Sequence, residues 1–294
     1  TPLGMSASTF AFAPYDANPN HAMGHLLLSG GGLWTVPPDW PYRNWVAVYA
    51  PAGGLCSNLN DMAKWVAFQL GNGVWEGSVL LEPETVQAIR APRIFLAAGP
   101  SGVVSYAMGW AFQSSPQTPY YWHNGETVGM HSIVSFYPEC DLGLVVLTNA
   151  ADNKLPERLA QRLPELYFGA PPLDCPLGDS VGFPDLRTGA RGPAAAPESV
   201  AAIPLGQLVG TYSNPAYGKA LIRKAGAGLT MSLGPAKRLG PLTPLDRNTF
   251  RFDWPDWPGN ASTVTFAADA SGSVTRLTIA ELSDVRGGEF KKTE

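Results

Sequence analysis

Charge is scarce in this chain: 15% of its residues are Asp, Glu, Lys or Arg, and the formal net charge is -4. So weak and negative a balance gives no electrostatic grip on a nucleic-acid backbone or an anionic membrane, and neither partner is expected. Cysteine is scarce too. Cys56, Cys140 and Cys175 stand far apart with no Cys-x-x-Cys pair, which excludes a zinc ribbon or a dithiol redox motif and allows at most one internal disulfide. His21 and His25 have the spacing of a helical metal pair, but Ala22 stands where a metalloprotease helix carries glutamate. Pro19 and Gly24 also argue against a helix there, so no metal and no cofactor are expected. The uncharged stretch Ile94–Phe112 is broken by Pro100 and three glycines, too often for a membrane span. No Ser-x-x-Lys and no Gly-x-Ser-x-Gly occurs anywhere, so neither common serine-nucleophile signature lies in these residues. The opening Thr1-Pro2-Leu3-Gly4 lacks the basic start and apolar run of a signal peptide.

What is present is enough apolar residue, 45% of 294, for one large domain or two smaller ones. Residues 1–45 are rich in turn formers. A helix is predicted from about Leu59 to Leu70, where Met62, Trp65, Val66 and Leu70 recur at helical spacing. Ser57 or Asn58 serves as its N-cap, Asp61 supports the first turn, and Gly71-Asn72-Gly73 ends it. A short helix follows from Pro83 to Ile89. Ser105–Phe112 alternates like one strand, which would pair with the strand at Tyr120 across the loop 113–119. Asn153–Phe168 reads as a helix with Leu155, Leu159, Leu163 and Leu166 on one side, and Pro156 is acceptable in its first turn.

Between these helices, residues 120–149 organise the rest. Tyr120-Tyr121-Trp122 suits a pleated surface and leads into a polar, glycine-marked turn from His123 to Gly129. His131–Tyr137 and Leu142–Thr148 are then joined by Pro138–Asp141, so an antiparallel hairpin is expected, with the nearly all-apolar second run buried on both faces. His123, Asn124 and Gly125 fall at the lip of this sheet, where glycine admits close approach of a ligand or another backbone. The plain alternative is a strand-end histidine bonded to a neighbour.

The His123-Asn124-Gly125 stretch resembles the third motif of the serine β-lactamase and penicillin-binding-protein superfamily, in its class C and esterase branch. Pro2–Thr9 looks like that family's PLGM segment, and Gly53–Trp65 looks like its Gly-Gly-Leu to Asp-Met-Ala-x-Trp segment. The resemblance implies an α+β fold: residues 1–170 as the C-terminal portion of a β-lactamase-like domain, an antiparallel sheet with flanking helices. It also implies a serine hydrolase acting by acyl transfer on an ester, amide or small peptide. In the family the nucleophile lies upstream of the PLGM segment, followed by Tyr-x-Asn. Tyr42-Arg43-Asn44 and Tyr212-Ser213-Asn214 fall on the wrong side and are read as coincidences, so the nucleophile is expected on an N-terminal segment outside these residues. By the same resemblance His123 stands where the family has lysine, and the backbone N–H of Glu126 would be one oxyanion donor. A histidine titrates near neutrality and holds no permanent charge, which favours neutral substrates. A periplasmic or secreted location is expected.

From 171 to 204 the composition turns to proline, glycine and alanine without periodicity, as in a linker. From 205 to 294, seven short alternating runs predict a small antiparallel barrel or sandwich, similar to the lipocalin-like module of many penicillin-binding-protein-like hydrolases. Trp254 and Trp257 either line its mouth or plug its end. A non-catalytic ligand- or partner-binding protein on the same scaffold is the competing reading.

Overall fold

A computed structural model describes residues 2–28, 32–99, 102–115, 118–151, 153–169, 203–258, 260–282 and 287–293. The chain divides into two units, Thr1–Leu27 with Leu33–Arg191, and Leu28–Gly32 with Gly192–Glu294. All but the last two residues of the expected linker, 171–204, lie outside the described residues.

The first unit opens with helix α1 (Phe12–Asp16), a hairpin of β1 (His25–Leu27) and β2 (Leu33–Thr35), and the short helix α2 (Ala50–Gly53). Helix α3 (Leu59–Leu70) starts where the sequence indicates: the Asn58 side-chain oxygen accepts the Asp61 N–H at 2.9 Å. The small hairpin β3 (Val74–Trp75) and β4 (Ser78–Val79) and helix α4 (Pro83–Arg90) follow. Six antiparallel strands then form one sheet: β5 (Ile94–Gly99), β6 (Gly102–Tyr106), β7 (Ala111–Ser114), β8 (Tyr120–Thr127), β9 (Met130–Tyr137) and β10 (Leu142–Thr148). They lie in the order β10-β9-β8-β7-β6-β5. Side chains alternate between faces. Tyr121, Val134, Phe136 and Val145 pack with Trp65 and Val66 of α3, whereas Trp122, Ile133 and Tyr137 pack with Ala160 and Leu163 of helix α5 (Leu155–Phe168).

The approach of α3 to β10 depends on a missing side chain. A Cβ on Gly143 would fall 2.2 Å from Val66 Cγ1. Valine is stiff at χ1 and cannot swing clear without repacking. Gly143→Ala is therefore expected to cost about 1–3 kcal/mol in urea unfolding, the usual penalty for overpacking. An unchanged midpoint would mean that α3 is not seated there.

The structure corrects three readings of this unit. The chain does not turn at His123: β8 stays extended to Thr127 and reverses through Val128-Gly129, with Gly129 at φ 69°. Seven cross-strand pairs from Tyr121↔Phe136 to Thr127↔Met130 hold it, and a continuous ladder outweighs the turn preference of Asn and Gly. Ser105–Phe112 is two strands, not one, because the chain folds back through Ala107–Trp110 with Gly109 at φ 82°; the Ala107 N–H donates to the Trp110 carbonyl at 2.7 Å. Strand β10 meets α3 on one face and α5 on the other, yet it is the sheet's edge and its residues stay half-exposed to exposed. The leucine row of α5, apart from Leu163, is turned away from the sheet. Leu155, Leu159 and Leu166 are exposed, whereas Pro156 and Ala160 are buried and Leu163 packs against the sheet core. Small residues at the contact let the helix lie close and bring Glu157 to the strands.

The second unit carries helix α6 (Leu205–Leu208) and a closed antiparallel barrel of eight strands. They are β11 (Gly210–Asn214), β12 (Gly218–Ala225), β13 (Gly228–Leu233), β14 (Arg238–Asp246), β15 (Thr249–Asp253), β16 (Ala261–Ala268), β17 (Val274–Ile279) and β18 (Glu289–Lys292). Pairing of β11 with β18 closes it. Strand β14 was hidden in the sequence by Pro241 and Pro244, which remove ladder donors; the register shifts between Pro244 and Asp246. An eight-stranded barrel is just wide enough for side chains to fill. Here Tyr212, Met231, Phe250, Phe252, Phe266 and Phe290 do so. Trp254 packs edge-on to Phe252 and donates from Nε1 to Ser262 Oγ at 2.8 Å, which is the plugging role.

Candidate functional site

Strand β8 is longer than its neighbour β7. Their pairing ends at Ala111↔Trp122, so among the described residues β8 is laddered from His123 to Thr127 on its β9 side alone. The opposite edge of that stretch faces away from the sheet ladder, and it belongs to the residues singled out by sequence. A Cβ built on Gly125 would meet nothing within 4 Å, so the strand is open there to an incoming group.

His123 is held from both ring nitrogens. Its Nδ1 lies 2.6 Å from the Asn124 carbonyl oxygen, which can only accept, so Nδ1 carries a proton. In the neutral ring Nε2 then accepts from the Tyr106 hydroxyl at 2.9 Å, and the two rings meet edge to face at 5.9 Å. Tyr106 ends β6, two strands away, and reaches His123 because β7 has not yet begun. Burial pushes the Tyr106 phenol pKa above its usual value, so the hydroxyl keeps its proton and remains a donor. Sequence reasoning missed Tyr106. No local pattern marks it, since only strand register brings it to His123.

Asn124 and Glu126 point to the other face. The Asn124 amide donates to Glu157 Oε1 at 2.8 Å, and the Glu126 carboxylate lies 3.4 Å from His131 Nδ1. The Glu126 side chain is thus committed beneath the sheet, which leaves only its backbone for the role that the resemblance implies. The four expected site residues are consecutive on one strand, but their side chains divide between two faces.

The remaining motif segments are structural. Asp61, 3% exposed, accepts from the Ala7 N–H at 2.8 Å and from Ser8 Oγ at 2.9 Å, and Lys64 lies at 3.3 Å. Those contacts pin the Pro2–Thr9 stretch to the start of α3. Tyr212 is a barrel-core residue donating to the Leu208 carbonyl, and Asn214 accepts the N–H groups of Ala216 and Tyr217 in the following turn. His21 bonds back to Asn18 and His25 to Asn149. Among the described residues no group of three His, Cys, Asp or Glu side chains is gathered as metal ligands. Cys56 and Cys140 are both free thiols, and Cys175 lies outside the described residues. No helix among the described residues is long and apolar enough to cross a membrane.

A mixed unit of antiparallel sheet between helices, with a helix-flanked strand open along one edge, defines the fold of the serine β-lactamase-like proteins. The Beta-lactamase family pattern matches residues 1–167, and the chain belongs to that family. A second pattern, a domain of unknown function (DUF3471), matches residues 194–291, the region of the barrel. No curated protein matches the chain significantly. An octameric penicillin-binding protein homologue from Pyrococcus abyssi is similar over 99% of this chain and 57% of its own, at 20% identity and a TM-score of 0.51. A β-lactamase/D-alanine carboxypeptidase from Pseudomonas syringae is similar over 57% of this chain and 51% of its own, at 18% identity and a TM-score of 0.40. The C-terminal domain of a penicillin binding protein is similar over 35% of this chain and 100% of its own, at 28% identity and a TM-score of 0.27. The chain therefore spans 57% and 51% of the length of the first two of these neighbours.

Proposed function

We propose that the chain forms part of a serine hydrolase that transfers acyl groups from an ester, amide or small peptide, with the attacking serine on an N-terminal segment outside these residues. The open edge of β8 at His123–Thr127 carries this reading. An acyl carbonyl lying along it would meet the backbone N–H of Glu126 as one oxyanion donor, and His123 as a proton carrier steadied by Tyr106. An imidazole in place of a lysine offers no permanent charge for a substrate carboxylate, which favours neutral acyl groups. Support for the separate nucleophile comes from the absence of Ser-x-x-Lys and from β10, an apolar strand that among the described residues is laddered on one side only. An unpartnered apolar edge is a ready template for a further strand. A periplasmic or secreted location fits this class of chemistry and is part of the proposal.

The filled barrel core gives no support to a ligand cup in the second unit. A fluorophosphonate or penicillin probe separates hydrolase from binder. The polypeptide extended upstream is expected to label covalently at a serine N-terminal to Pro2, whereas these 294 residues alone stay unlabelled. An extended polypeptide that never labels and turns over no ester, amide or peptide would leave the binding reading in its place.

A further inference from the structure

Beneath the sheet lies a set of charges that the chemistry above does not use. His131, on β9 and 2% exposed, sits between two carboxylates: Glu157 Oε1 of α5 at 2.7 Å from Nε2, and Glu126 Oε2 of β8 at 3.4 Å from Nδ1. The same Glu157 oxygen accepts from the Asn124 amide at 2.8 Å. Glu157 is placed by α5, whose start is anchored by Asn153: its side-chain oxygen accepts the Leu155 N–H, and its amide donates to Thr148 Oγ1 at 3.1 Å. Thr148 in turn donates to the His131 carbonyl at 2.9 Å.

We propose that His131 and Glu157 are positioning residues for the substrate edge, gripping Asn124 and Glu126 from the face opposite His123 and so fixing the strand between them. Alternation makes this possible. Of two successive back-facing side chains of β8, Asn124 is bonded to Glu157 and Glu126 is paired with His131, which itself is bonded to Glu157, so the intervening Gly125, with no side chain of its own, is held by its neighbours. Two carboxylates around one buried ring demand its proton, since two unshared negative charges there would be costly. Burial alone would lower the His131 pKa, but Glu157 and Glu126, with the Asn153 carbonyl, outweigh it and lift it above the ordinary value. Burial likewise raises Glu157, and the bonds from His131 and Asn124 overcome this and bring it below the usual range. Glu126 and Glu157 are the charged groups facing the ring from the elements packed on it. With His131 raised from 6.5, its contribution is whole below that pH and fades as pH rises through the folded value; with Glu157 lowered from 4.5, its contribution is whole above that pH and fades in acid.

The inference rests on reading His123–Glu126 as the substrate edge, but its test needs no turnover. Imidazole and amide NMR on the 294-residue chain should find His131 titrating above the ordinary imidazole value of 6.5. Raising the pH through its titration should shift the Asn124 side-chain amide and the Gly125 and Glu126 backbone amides together. In Glu157→Gln the titration should move to lower pH, and exchange protection of those amides should fall by about tenfold, the equivalent of one lost hydrogen bond, with barrel amides unaffected. An imidazole titrating at or below 6.5, or β8 amides indifferent to it in the unmodified chain, would overturn the proposal even if Glu157→Gln failed to fold. Failure of probe labelling in the extended polypeptide would sink the hydrolase reading and leave this coupling intact.

Discussion

His123→Ala in the upstream-extended polypeptide is expected to slow acyl transfer by about 10²–10⁴-fold, the range for loss of a positioned proton carrier. The fall should appear in kcat and in kcat/KM alike, because a proton is moved in the transition state and not on binding. Tyr106→Phe should cost much less, about fivefold, since it removes one neutral hydrogen bond worth about 1 kcal/mol and leaves the imidazole in place. Steady-state kinetics on a neutral ester would measure both variants. An alanine variant within threefold or so of the parent would remove His123 from the chemistry and reduce it to a strand residue bonded to its neighbours.

The second large effect is on folding. Phe252→Ala is expected to cost the barrel about 3–5 kcal/mol, the range for deleting a fully buried aromatic side chain. Phe252 has no exposed surface, touches Trp254 edge-on, and sits against Gly240, where a Cβ would approach its ring within 2.9 Å. Nothing beside it can collapse cheaply into the space. Amide exchange across β11–β18 measures the loss strand by strand, and the amides of the β5–β10 sheet serve as the internal reference. A loss below about 1 kcal/mol would mean that the barrel interior can repack around the gap, contrary to the close packing described.

Legibility of the chain followed the range of the forces involved. Helix α3 was readable at both ends, with its N-cap narrowed to Ser57 or Asn58, because its cap, its apolar spacing and its terminating glycine are all local signals. Seven of the barrel strands were readable for the same reason: alternation is printed in each run. The eighth was not, since Pro241 and Pro244 break the local signal while the neighbours β13 and β15 supply the pairing. At β8 the local signal pointed the wrong way. Asn124 and Gly125 ask for a turn, and the ladder to β9 overrides them. The same ladder makes the site, because only an extended strand running past the end of β7 presents an open edge.

The leucines of α5 carried a similar lesson. Helical spacing identified a face, but which face meets the sheet was settled by the small residues Pro156 and Ala160 and by the partners waiting for Glu157. Sequence alone determined the family resemblance, the order of the two units and the barrel's alternation, because these rest on contiguous residues. Tertiary structure alone decided that Tyr106 meets His123, that Asn124 and Glu126 turn their backs to it, and that Glu157 holds the one and His131 the other from below. Each of those contacts joins residues on different strands or a helix, and their meeting is set by register and packing that no single segment encodes.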